Sequence, residues 1–158
     1  MAAVRKLGAE VRITGASYTE TQTYAQQAAR DENRSFIPPY DDPYIIAGQG
    51  TIGAEIVRQL GNRVEDLDAI FVAIGGGGLI AGIAAYIKAL NPHIQVIGVE
   101  PTGANCMAQS LHHGERVTLS RVDAFADGVA VKSVGAVRSN SLVDRCAMLA
   151  YFLMCNLK

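Results

Sequence analysis

Asp68-Ala-Ile-Phe-Val-Ala-Ile-Gly-Gly-Gly-Gly-Leu-Ile-Ala-Gly82 joins a strand-like run to a helix-like run through four consecutive glycines. Residues 68–74 are apolar almost throughout, the pattern expected of a parallel strand buried on both faces. Residues 79–91 place Leu79, Ile80, Ile83, Ala84, Ile87 and Leu90 on one helical face. A glycine loop between the two offers bare amides at a helix N-terminus, where partial positive charge favours an anion. A Cβ there would hold a phosphate off the backbone and resist positive φ angles. The functional reading is a phosphate cradle. A flexible linker would sit among serines and other polar residues, which this loop does not; a turn used only for close packing stays open.

Downstream, residues 95–99 read as a second buried strand, so the loop belongs to a βαβ unit broken at Asn91-Pro92, with the usual right-handed crossover. Upstream, a helix is expected from Pro43 or Tyr44 to Leu60, turning Ile45, Ile52, Ile56 and Leu60 inward. Gly48, Gly50 and Gly53 each cost such a helix about 1 kcal/mol against alanine, which implies a packing or ligand-approach reason for them. Asp42 suits the N-cap and Pro43 the first turn; Asp41 and Asp42, adjacent on an extended segment, point opposite ways and make no acid/base pair. The remaining expectations are a helix over 3–7 ended by Gly8, a strand at 10–14 and a surface helix over 19–32 capped by Ser17 or Thr19. A short strand at 36–37, a helix over 106–113 ended by Gly114 and a loop over 117–125 complete them. Strands alternating with helices make the class α/β with a parallel sheet.

The composition fits one globular domain: 158 residues, 49% of them apolar, with a net charge of −1. The cations are scattered singly, which argues against nucleic acid or an anionic membrane as partner. Cys106, Cys146 and Cys155 are odd in number and lack metal spacing, so they read as free thiols of a reducing interior. His93, His112 and His113 read as surface residues.

Spacing alone leaves the phosphate ligand open. Gly76-x-Gly78-x-x-Ala81 fits the dinucleotide fingerprint, and Glu100 closes the next strand near the distance of a ribose-binding acid. The wider chain adds more. Phe36-Ile-Pro-Pro-Tyr-Asp-Asp-Pro43, Ile46-Ala-Gly-Gln-Gly-Thr-Ile52, Gly75-Gly-Gly-Gly-Leu-Ile-Ala-Gly82, Gly98-Val-Glu-Pro101 and Phe125-Ala-Asp-Gly-Val-Ala-Val-Lys132 follow in that order. Over residues 1–135 the chain thereby resembles the biosynthetic threonine ammonia-lyases (threonine dehydratases), pyridoxal-phosphate enzymes of fold type II, the tryptophan synthase β-like class.

That resemblance implies part of a lyase of isoleucine biosynthesis that turns threonine into 2-oxobutanoate and ammonia. Residues 1–39 would be part of the small subdomain and 40–135 part of the large cofactor-binding subdomain. Gly75, Gly76, Gly77, Gly78 and Leu79 would hold the cofactor phosphate, and Gly128 would line its ring. Glu100 and Ala104 match cation-binding positions of the related serine racemases, but the third position is Cys106 rather than an acid, so no metal site is expected. Glu100 then reads as a carboxylate capping nearby backbone. A serine dehydratase or racemase is the nearest rival within the family, and a dinucleotide-binding module the rival outside it. The family is one of oligomers from the cell interior, in eukaryotes from mitochondrion or plastid.

The family's Schiff-base lysine lies in a Ser-x-Lys-x-Arg-Gly type motif, and this chain has none; Lys6, Lys88, Lys132 and Lys158 lack that context. The chain is therefore expected to be a fragment without catalytic activity by itself. Residues 136–158, with the apolar run Cys146-Ala-Met-Leu-Ala-Tyr-Phe-Leu-Met-Cys155, depart from the family pattern and are expected to be foreign to the fold. That run is far short of the roughly 20 residues a membrane span needs.

Overall fold

A computed structural model describes residues 2–136 and the backbone of residues 153–155. Most of the 136–158 tail, including Cys146 and Lys158, lies outside the described residues. The chain divides into two units, Met1–Ile37 and Pro38–Lys158.

In the first unit, α1 (Ala2–Lys6) ends before Gly8, whose φ of 86° only glycine adopts readily. Helix α2 (Tyr18–Asp31) starts at Ser17, whose hydroxyl accepts from the Glu20 amide at 3.3 Å; Glu20 in turn accepts from the Ala16 amide at 2.9 Å. Of the two caps the sequence offers, Ser17 is used. The strands expected at 10–14 and 36–37 do not form. A strand needs a neighbour for its ladder, and among the described residues neither segment has one. Residues 10–14 are held instead by side chains: Arg12 bridges Glu10 and Glu32, and Thr21 Oγ1 donates to the Thr14 carbonyl at 2.7 Å.

In the second unit, α3 (Pro43–Leu60) begins at Asp42, whose carboxylate accepts from the amides of Tyr44 and Ile45 at 2.8 and 3.2 Å. Strand β1 (Ala69–Ala73), helix α4 (Gly78–Leu90) and strand β2 (Gln95–Pro101) form the expected parallel βαβ unit. Its register runs from Ala69 opposite Gln95 to Ala73 opposite Val99. A short β3 (Leu153–Cys155) pairs in parallel with the far end of β2, so the order is β1-β2-β3. Helix α5 (Cys106–His113) follows β2 and ends at Gly114, φ 71°.

Three burial expectations are corrected. Strand β1 is covered on one face only: Val72 is buried, whereas Phe71 is 62% exposed. Of the α3 residues expected inward, Ile45, Ile56 and Leu60 are half-buried but Ile52 is exposed; the fully buried positions are Gly50 and Gly53, where α4 comes close. Leu90, at the last turn of α4, is exposed too. Glycine explains the α3 shift. A Cβ on Gly50 would lie 3.2 Å from the Gly82 carbonyl and one on Gly53 the same distance from the Tyr86 ring. A Cβ on Gly82 would strike the Ile46 carbonyl and sit 2.7 Å from the Gly50 nitrogen. The two helices meet backbone to backbone, and the glycines are the packing surface.

Among the described residues the core has two centres. Val72, Ile83, Ala84, Ile87, Ile94 and Val96 fill the space between α4 and the sheet. Ile74, Cys106, Met107 and Val134 form a second cluster, and it underlies the glycine loop.

Candidate functional site

The loop turns sharply between Ile74, whose amide is fixed on the Val99 carbonyl at 2.9 Å, and the first turn of α4. Gly77 is the only one of the four glycines with a left-handed φ, 96°. The first helical bond runs from the Ala81 amide to the Gly77 carbonyl at 3.1 Å. From Gly75 to Ile80, no amide has a hydrogen-bond acceptor among the described residues. Helix geometry accounts for the last of these, since the first-turn N–H groups point past the helix end. The loop extends that row of donors into the half-buried mouth of α4. Such a row, backed by the helix dipole, suits a tetrahedral dianion.

The glycines themselves owe less to an anion than the sequence reading held. A Cβ on Gly76 would run into the Tyr40 ring, and one on Gly78 would lie 2.7 Å from the Tyr40 carbonyl. A Cβ on Gly77 would meet Met107 Cε at 2.8 Å, and one on Gly75 would meet Val129 Cα at 3.2 Å. The missing side chains make room for protein. What the arrangement leaves for a ligand is the line of amides.

Two further segments close on the loop. The Gly135 amide donates to the Gly76 carbonyl at 2.9 Å, and the Ala136 amide donates to Asp41 Oδ2 at 2.8 Å. A Cβ on Gly135 would lie 2.5 Å from Asp41 Oδ1, so a side chain there would displace the Asp41 carboxylate. Gly128 lies in a short 3₁₀ turn (Asp127–Val129) beside Gly75, and the direction a side chain would take from it is open. The structure thus places Gly128 beside Gly75 and adds Tyr40, Asp41 and Gly135 to the surroundings of the loop. Those three are separated from the loop by long stretches of chain, so no local spacing pattern connects them. Tyr40 and Asp41 stand inside the Pro-Pro-Tyr-Asp-Asp-Pro block, which was the available signal.

Glu100 is fully buried at the end of β2. Its two oxygens accept from the amides of Met107 and Ala108 at 2.9 and 2.8 Å, capping α5. Burial pushes its pKa above the ordinary carboxylate value, while the two amide donors pull the other way. A carboxylate so enclosed has no oxygen left to meet a ribose, which removes the acid a dinucleotide site would need. Lys88 Nζ donates to the Pro92 carbonyl at 3.0 Å, and Lys132 is exposed.

A family model described as pyridoxal-phosphate dependent enzyme matches residues 1–151. Threonine dehydratase 1 biosynthetic, chloroplastic, of Solanum lycopersicum is 59% identical over 132 residues, 84% of this chain and 21% of that protein. The chain thus spans about a fifth of that relative's length. Among solved structures, the processed form of threonine deaminase isoform 2 from Solanum lycopersicum superposes with a TM-score of 0.84 at 46% identity, over 98% of this chain and 43% of that one. Maize serine racemase superposes with a TM-score of 0.82 at 29% identity, over 98% of this chain and 46% of that one.

Proposed function

From the premise that this chain belongs to the pyridoxal-phosphate dependent enzymes, we propose that it is part of a threonine ammonia-lyase and carries the seat of the cofactor phosphate. The observation that bears this reading is the run of amides from Gly75 to Ile80 without an acceptor among the described residues. Gly75, Gly76, Gly77, Gly78 and Leu79 bind the phosphate through their N–H groups, and the α4 dipole offsets its charge. Gly128, with open space on its side-chain face, leaves room for a planar ring beside Gly75. When bound, the cofactor supplies an electron sink at the substrate α-carbon. This chain's residues hold and orient it. Residues 1–39 belong to the small subdomain and 40–135 to the cofactor-binding one.

The chain has no lysine in the Ser-x-Lys-x-Arg-Gly context, so it binds without turning over. Threonine plus pyridoxal phosphate should yield no 2-oxobutanoate with this chain alone, measured by a coupled dehydrogenase assay; sustained release would overturn that. Pyridoxine phosphate, which lacks the aldehyde and cannot label stray lysines, should shift the amide resonances of residues 75–79, and NAD should not. The reverse pattern would favour a dinucleotide module. Serine in place of threonine as substrate is the second reading, supported by the likeness to maize serine racemase.

A further inference from the structure

The loop's donors serve an anion only if their peptide planes face it, and one plane is set from outside the loop. The Gly76 carbonyl is held by the Gly135 amide at 2.9 Å. No peptide bond in the described chain is cis, so the same plane carries the Gly77 N–H on the side opposite Gly135. Gly135 is held in turn: Val134 is buried before it, and the next amide, Ala136, donates to Asp41 Oδ2 at 2.8 Å. The Asp41 carboxylate fills the space where any side chain at position 135 would sit. Asp42, its neighbour, is already spent on the first amides of α3, so Asp41 starts from a fixed helix end. A chain of contacts therefore leads from α3 through Asp41, Ala136, Gly135 and Gly76 to the direction of one donor in the loop.

We propose that Asp41 is a positioning residue for the anion-binding loop, aiming the Gly77 amide through residues 135 and 136. This rests on the phosphate-cradle reading and adds to it a residue from outside the loop's row of donors. Misaiming one backbone donor to a charged ligand corresponds to about a tenfold loss of affinity.

The test is a titration of the whole chain with inorganic phosphate and with pyridoxine phosphate, followed by amide resonances. In the wild type, the Gly77, Gly135 and Ala136 amides should shift together with one dissociation constant. Asp41→Ala should bind both ligands about tenfold more weakly, and Asp41→Asn, which keeps an oxygen acceptor, should stay within about threefold of wild type. Unchanged affinity in Asp41→Ala, or an Asp41→Asn variant as weak as it, overturns the proposal. Should Asp41→Ala fail to fold, the wild-type titration still decides: Gly77 shifting while Gly135 and Ala136 stay still also overturns it. A wild type that takes up neither phosphate defeats the cradle reading and the Asp41 proposal with it, whereas binding that ignores Asp41 defeats the proposal alone.

Discussion

At the scale of single residues, two carboxylates outside the donor row do the fixing. Asp42 starts α3, and Glu100 ties β2 to the amides of α5. Glu100 is buried, so truncation would strand two backbone donors away from water. Glu100→Ala should lower unfolding stability by about 3 kcal/mol, read from the urea midpoint. A midpoint within error of wild type would show that water replaces the carboxylate. Arg12 works differently, at the surface. Its hydrogen bonds, first of all, and then its charge hold the Glu10 and Glu32 carboxyls below their ordinary pKa. A lowered folded pKa gives stabilisation that is present above the unfolded value and is lost as pH falls through the folded one. Acidification from pH 6 to pH 3 should therefore loosen residues 10–14, seen as greater backbone mobility at Ile13 and Thr14 in ¹⁵N relaxation. Arg12→Met should be as mobile there at pH 6 as at pH 3, and 0.5 M salt should move the wild type part of the way.

At the scale of elements, the α3–α4 contact is decided by which glycines face it. Gly82→Ala should cost about 2 kcal/mol, because the methyl would meet the Ile46 carbonyl and the Gly50 nitrogen. Gly48, in the same helix as Gly50 but with open space around it, should accept alanine with a gain of about 0.5–1 kcal/mol. Thermal melts of the two variants should move in opposite directions. The helices themselves were legible in the sequence: Asp42-Pro43, Ser17 and Gly114 mark ends that the structure uses. The inward face of α3 was not, since periodicity weighs isoleucine over glycine and so points to Ile52 rather than Gly50. The strand at 10–14 failed for another reason. Alternation in a sequence states a capacity to pair, and pairing needs a second strand, which the described residues lack. Of the site, the loop announced itself as four glycines in a row, while Tyr40 and Gly135 reach it only through the tertiary fold.

At the scale of the whole molecule, the sheet presents an unfinished side. Among the described residues β1 pairs with β2 alone, and Phe71 projects from its open face at 62% exposure. Apolar surface beside an unpaired strand edge invites association. Phe71→Lys should reduce light scattering of concentrated samples without shifting the urea midpoint; equal scattering would place the sticky surface elsewhere. No helix among the described residues is long and apolar enough to cross a membrane. The row of amides at the mouth of α4 carries a last corollary for anyone handling the protein. On the proposed phosphate-cradle reading, oxyanions in the buffer would be surrogate occupants, each stabilising the fold by an amount that grows with the logarithm of its concentration over its dissociation constant. Samples dialysed from sulfate or phosphate into chloride would then be a different material on the bench, with a lower melting temperature and a shorter shelf life.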